Sequence, residues 1–178
     1  MVDFQFRSTI NNPMISKKID ETDARILNLL QSSGRMKRID MAARVGLSMT
    51  SVSDRMRKLE ENGYLTGYHA TVNSKALGFD ITAFIRVSVD TSTNYEALIE
   101  HVCGCSEVLE AHSVTGEGSH ILKVRSHDTT SLERLLASIQ SWPGVTGTRT
   151  SIVLSTFKET RQLPISPDEG TSKRQNRP

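Results

Sequence analysis

Residues 42–63 read AARVGLSMTSVSDRMRKLEENG, and this stretch decides the architecture of the first half of the chain. Gly46 admits the positive φ that ends a helix sharply, Leu47 is an apolar plug, and Ser48 is a good N-cap for the next helix. Val52, Met56 and Leu59 then recur at spacings of four and three, which is one buried helical stripe, and Gly63 supplies its stop. Upstream, KRIDMAARVG at 37–46 reads as a short helix with Met41, Ala42 and Val45 facing inward. Before that, Asp20 is an N-cap with Asp23 in the first turn, and Ile19, Ile26, Leu27 and Leu30 make a first apolar stripe that stops near Gly34. Three short helices with a glycine turn between the second and third match a helix-turn-helix. Downstream, TGYHATV at 66–72 alternates like a short strand pair, a wing.

With its apolar stripe turned inward, the third helix presents small hydroxyls at its start. Ser48, Thr50, Ser51 and Ser53 allow close approach to a major groove, and a helix N-terminus contacts phosphates. Arg55 and Lys58 follow, and Arg35, Lys37, Arg38 and Arg44 lie nearby to neutralise phosphates. Double-stranded DNA is the partner this pattern implies. A plain three-helix bundle with solvated charges is the competing reading. Asp54 counts against simple phosphate binding; it either pairs with Arg57 or Lys58 or accepts a proton from a cytosine amine.

Beyond a linker over residues 74–80 the period changes. ITAFIRVSVD, from residue 81, alternates and is rich in β-branched residues, a strand. Residues 95–102 read as a helix through Leu98, Ile99 and Val102; EVLEAHSVTG and SHILKVRS read as strands around a turn at Gly116 and Gly118. Residues 131–141 form another helix broken by Pro143 and Gly144, and residues 145–158 read as a long last strand. The order β-α-β-β-α-β is the split βαβ, ferredoxin-like arrangement. The expected class is therefore α+β: a flexible arm over 1–16, a winged helix-turn-helix over 17–73, a ferredoxin-like domain over 81–161, and a disordered tail over 162–178.

Charge follows the same division. Residues 17–80 carry eleven Lys and Arg against eight Asp and Glu, whereas residues 81–160 carry six against nine. A basic first half joined to an acidic second half indicates separate tasks. The two cysteines, Cys103 and Cys105, flank one glycine and make no disulfide framework. With His101 they form an HxCxC string, but zinc sites show longer spacing, so a helix-end loop is the reading and no metal or cofactor is expected. No apolar run approaches a membrane span and no signal pattern opens the chain, so a cytoplasmic location is expected.

The run IDETDARILNLLQSSGR from residue 19, AARVGLSMTSVSDRMRKLEENGYLTGYHATV from 42, LGF at 77–79, SEVLEAHSVTGEGSHILKV from 106 and SWPGVTGTRTSIVLSTFK from 141 together resemble the Lrp/AsnC, or feast/famine, regulators. The resemblance covers residues 19 to about 161, in order and spacing. It implies a sequence-specific transcriptional regulator, no enzyme, that dimerises through its sheets, often assembles into octamers, and binds a small effector, commonly an amino acid, near the β2–β3 turn. Arg55 matches the family's basic position in the recognition helix. On this chain the effector stretch comprises Val114, Thr115, Gly116, Glu117, Gly118, Ser119 and His120, with Thr148 added from the last strand of a partner subunit. Backbone N–H groups freed by the two glycines form a nest for a carboxylate, and Glu117 accepts from an ammonium. The same glycines also suit a hairpin turn without any ligand. The turn departs from the family's usual TGxxD by having Ser119 at the acidic position, and Lys37 stands where a Ser or Thr usually opens the second helix. An effector-independent architectural, nucleoid-type DNA-binding protein is the alternative. No catalytic dyad or triad is evident, so an enzyme is not expected.

Overall fold

The computed structural model describes residues 18–166, and the arm over 1–16 and the tail beyond 166 lie outside the described residues. Two compact units emerge: residues 18–71 together with 160–166, and residues 72–159.

The first unit is built from α1 (Glu21–Ser32), α2 (Arg38–Val45) and α3 (Met49–Glu61). A capping box starts α1: the Asp20 carboxylate accepts from the Asp23 amide, and the Asp20 amide donates to the Asp23 carboxylate. Gly46 ends α2 at φ 71°, in the left-handed region, and Ser48 caps α3 by accepting from the Ser51 amide. Lys37 sits at the N-cap of α2 without a side-chain cap. In its place, the far end of α2 is tied by Arg25, which donates to the Arg44 carbonyl at 2.7 Å. Ile26, Leu27 and Leu30 from α1, Met41, Ala42 and Val45 from α2, and Val52, Met56 and Leu59 from α3 form one buried core, the set that helical periodicity singles out.

Residues 65–73 hold neither helix nor strand, so the strand pair expected over 66–72 does not form within the chain. Alternation alone cannot make a hairpin: seven residues leave no room for two strands and a turn. Tyr68 there donates its hydroxyl to Glu60 of α3 at 2.8 Å.

The second unit has β1 (Ile81–Val89), α4 (Tyr95–Gly104), β2 (Val108–Ser113), β3 (His120–Ser126), α5 (Thr129–Gln140) and β4 (Val145–Ile152). The sheet order is β2-β3-β1-β4, with every pairing antiparallel. Ala83, Ile85 and Val87 of β1 and Leu122 and Val124 of β3 point to one side and are wholly buried against Leu98, Leu132, Leu135, Ile139 and Trp142. Truncating Ile85 to alanine there costs about 2–5 kcal/mol. The last strand stops at Ile152, short of the expected residue 158. Its partner β1 begins at Ile81 and the register pairs Ala83 with Ile152, so only one more bond, Val153 N–H to the Thr82 carbonyl, is available beyond the ladder.

Residues 162–166, expected to be disordered from composition, are instead bound to the first unit. The Gln31 side chain accepts from the Leu163 amide at 2.7 Å and donates to its carbonyl at 3.0 Å. Gln162 donates to the Gln31 carbonyl, Asn28 donates to the Ile165 carbonyl, and Ile165 packs on the helical core. Composition cannot register this, because the partner groups lie more than 130 positions away in the chain.

Candidate nucleic-acid interface and effector turn

The outward face of α3 follows from its buried stripe. At 100° per residue, Thr50, Asp54 and Arg57 lie opposite Val52, Met56 and Leu59. Thr50, Ser51 and Lys58 are exposed, and Ser53 is half-buried with its hydroxyl donating to the Met49 carbonyl. Ser48 and Ser51 hydroxyls are hydrogen-bonded to each other at the helix start. Arg35, Lys37 and Arg44 surround one shallow hollow of about 550 Å³ over the α1–α2 turn, and Arg38 is exposed beside it. The bases singled out around the turn are therefore solvent-facing.

Arg55 is placed differently. It sits beside the buried stripe, and its Nη1 donates to Asp20 Oδ2 and Asp23 Oδ1, each at 2.7 Å. Burial acts to raise the Asp20 carboxyl, but the Asp23 amide and the Arg55 guanidinium outweigh it and hold the group below the ordinary carboxylate range. The two carboxylates lift the Arg55 pKa further. Arg57, which the sequence reading left out of the contact set, is exposed on the outer face. It pairs within its own helix with Glu61 at 2.8 Å and more loosely with Asp54 at 3.9 Å. A helical wheel anchored on Val52 and Leu59 would have found it.

In the second unit, the β2–β3 turn spans residues 114–119. Gly116 at φ 97° and Gly118 at φ 77° occupy backbone conformations that L side chains rarely adopt. A Cβ on Gly118 would also lie 3.2 Å from the Val87 carbonyl oxygen. The Ser119 amide donates to that same oxygen, and Val114 donates to the Ser119 carbonyl, which closes the turn. Thr115, Gly116 and Glu117 are exposed at the tip. Glu117 reaches across to Arg149 of β4 at 2.5 Å, and Arg86 of β1 approaches the Glu117 carbonyl at 3.4 Å. Ser119 is turned inward: its hydroxyl lies 3.3 Å from the Val87 carbonyl and 2.9 Å from His120 Nδ1. His120 is 7 % exposed, meets the Tyr95 ring edge-on, and has its pKa pushed below the ordinary imidazole value by burial.

Thr148 is not brought to the turn within one chain. It pairs across β1 in register with Val87, whose other neighbour is His120, so about 10 Å separates the two rows. Its hydroxyl accepts from Gln140 of α5. His101 stacks on Trp142 at 5.6 Å, so its ring serves packing at the ends of the two helices.

Comparison with known proteins bears on both units. Residues 19–66 match the winged helix-turn-helix DNA-binding model, and residues 82–163 match the Lrp/AsnC ligand binding domain. The chain is 35% identical over 147 residues to the HTH-type transcriptional regulator FL11 of Pyrococcus abyssi, covering 83% of this chain and 97% of that one. It is 33% identical over 152 residues to the leucine-responsive regulatory protein of Escherichia coli K12, covering 84% and 93%. Among solved structures, a transcriptional regulator of Neisseria meningitidis in complex with L-methionine superposes with a TM-score of 0.79 at 31% identity, covering 82% of this chain and 96% of that one. With three helices in the first unit, a four-stranded sheet in the second and these matches over both, the chain belongs to the Lrp/AsnC family of DNA-binding transcriptional regulators.

Proposed function

We propose that this regulator answers to a small amino acid, which binds at the β2–β3 turn and changes operator binding by favouring one assembly of subunits. The carrying observation is the composition of that turn. Two positive-φ glycines expose backbone at its tip, and a carboxylate, Glu117, already lies against a guanidinium, Arg149, in the open. An α-amino acid carries the same two charges. Its carboxylate has the Arg149 guanidinium and the turn's N–H groups available, and its ammonium has Glu117. The relatives named for leucine and solved with L-methionine make these two the first ligands to try. Val114, Thr115, Gly116, Glu117, Gly118 and His120 line the proposed site. Ser119 serves it by fixing the turn, and Thr148 serves it only from another subunit.

The assembly we propose is a homodimer paired through the outer sheet face, with octamers built from it. Phe84 is 39% exposed on that face, and Leu154 and Phe157 just beyond β4 are 95% and 99% exposed. Apolar groups left in water this way favour a second copy over solvent. A ligand with higher affinity for one arrangement of such an assembly shifts its population and with it operator affinity. The protein acts on DNA as a regulator in the cytoplasm and carries out no chemistry.

Thermal melting of the full chain across the proteinogenic amino acids tests this reading. At a hundredfold excess over Kd the responsive ligand stabilises the fold by about 2.7 kcal/mol. Sedimentation with and without that ligand reports the assembly. Silence across amino acids, with operator binding intact, replaces this reading with the architectural one.

A further inference from the structure

The geometry points to a division of labour on α3: Arg55 is a positioning residue that locks the recognition helix to the first turn of α1, and Arg57 is the arginine that meets DNA. The assignment goes beyond membership of the family and reverses the role that sequence position suggests for Arg55.

The lock is closed at every oxygen. Asp20 uses Oδ1 to accept from the Asp23 amide at 2.7 Å and Oδ2 to accept from Arg55. Asp23 uses Oδ2 to accept from the Asp20 amide at 3.4 Å and Oδ1 to accept from Arg55. The capping box that begins α1 is thus also the receptor for a side chain from α3, 32 to 35 positions later. Charge-assisted bonds to two carboxylates restrict a long side chain more than one pair does. The pair is half-sheltered: the Arg55 side chain is 32% exposed and that of Asp23 is 19% exposed. Both carboxylates hold Arg55 through Nη1, so a phosphate approaching its remaining N–H groups would meet two negative groups beside a polyanion. Arg57 also has two carboxylate neighbours, but its pairs are 57–61% exposed, whereas the Arg55–Asp23 pair is 32% and 19% exposed and is screened less by solvent.

Arg57 has the opposite setting. It lies opposite the buried stripe and is 57% exposed, and its pairs with Glu61 and Asp54 run along one exposed helix face. Exposed pairs of that kind contribute little and are readily exchanged. Thr50 and Ser53 flank it one to two turns before, which completes a polar face narrow enough for a groove.

The two roles separate by salt dependence and by the sign of a neutralised carboxylate. Affinity of the full chain for a mixed-sequence duplex and for a duplex enriched by in vitro selection is measured between about 50 and 200 mM salt, well below melting. The wild-type slope comes first, so that failure of DNA binding itself is seen separately. Arg57→Ala shortens the slope of log K against log salt by about 0.9 per subunit, the loss of one phosphate contact. Arg55→Ala weakens binding by about tenfold and keeps the wild-type slope, and Asp23→Asn weakens it similarly, although it removes a negative charge. The double variant is no weaker than either single one. Should Arg55→Ala unfold the helical unit, Asp20→Asn keeps the N-cap, since asparagine caps well, and weakens binding in the same way. A shortened slope for Arg55→Ala overturns the assignment whatever the other variants do. So does a tighter Asp23→Asn protein, or a folded Arg55→Ala protein with unchanged affinity, since a residue serving stability alone would leave the folded variant's affinity untouched.

Discussion

Single groups in this chain carry more than one duty, and their pH dependence shows it. Asp20 is a cap, an ion-pair partner and, with its pKa held down, a source of stability that depends on ionisation. A carboxyl lowered by folding contributes its full stability above its unfolded value of about 4 and loses it as pH falls through the folded value. Acid melting of the helical unit should therefore begin below about pH 4, and Asp20→Asn should flatten that limb. The effect is at most about 1 kcal/mol, because Asp20 is half-exposed and solvent screens the pair. A pH series of amide exchange in α1 reads it. His120 behaves in the opposite chemical sense but with the same direction. Burial disfavours its cation, so the folded state is fully stable above about pH 6.5 and weakens as pH falls toward the depressed folded value. An NMR titration should put the His120 midpoint below about 6.5; a midpoint above that value would contradict its burial against Tyr95 and Ser119.

At the scale of elements, caps and turns separate into costs of different origin. Ser48→Ala removes the acceptor for the Ser51 amide and should lower the stability of the helical unit by about 1 kcal/mol in a urea titration. Gly46 and Gly118 both have positive φ, yet a Cβ on Gly46 meets nothing within 4 Å, whereas on Gly118 it meets the Val87 carbonyl at 3.2 Å. Gly46→Ala should thus cost only the left-handed backbone penalty of about 1–2 kcal/mol. Gly118→Ala must in addition push apart the turn and β1. It should remain folded and lose the ligand-induced rise in melting temperature; an undiminished rise would move the proposed effector site elsewhere.

At the scale of the molecule, the chain crosses between its two units twice, once near residue 71 and again at residue 160. The second crossing delivers Leu163 and Ile165 to α1, where the Gln31 amide pairs with backbone as a neighbouring strand would. Ending the chain after Glu159 should lower the stability of the helical unit by about 1–3 kcal/mol, the loss of one packed apolar side chain and four hydrogen bonds. Hydrogen exchange should show this in α1 and leave the ladder of β1 with β3 protected as before. Equal loss in both units would mean that the strap supports the whole molecule and not one unit.

Helix stripes, caps, the glycine turn and the succession of strands and helices along the chain were legible in the sequence because each depends on residues within a few positions of one another. Val52, Met56 and Leu59 mark their face of α3 by spacing alone, and Asp20 and Ser48 announce helix starts without help from anything distant. The direction of the Arg55 side chain, the inward turn of Ser119, the early end of β4 and the docking of Ile165 belong to the tertiary structure. Each is fixed by groups that only the folded chain brings within a few ångströms: two α1 carboxylates, the Val87 carbonyl, the first residues of β1 and the exposed edge of α1. Periodicity tells which side of an element is apolar. It carries no information about which polar neighbour, from another part of the chain, competes for a long side chain once that side has been buried.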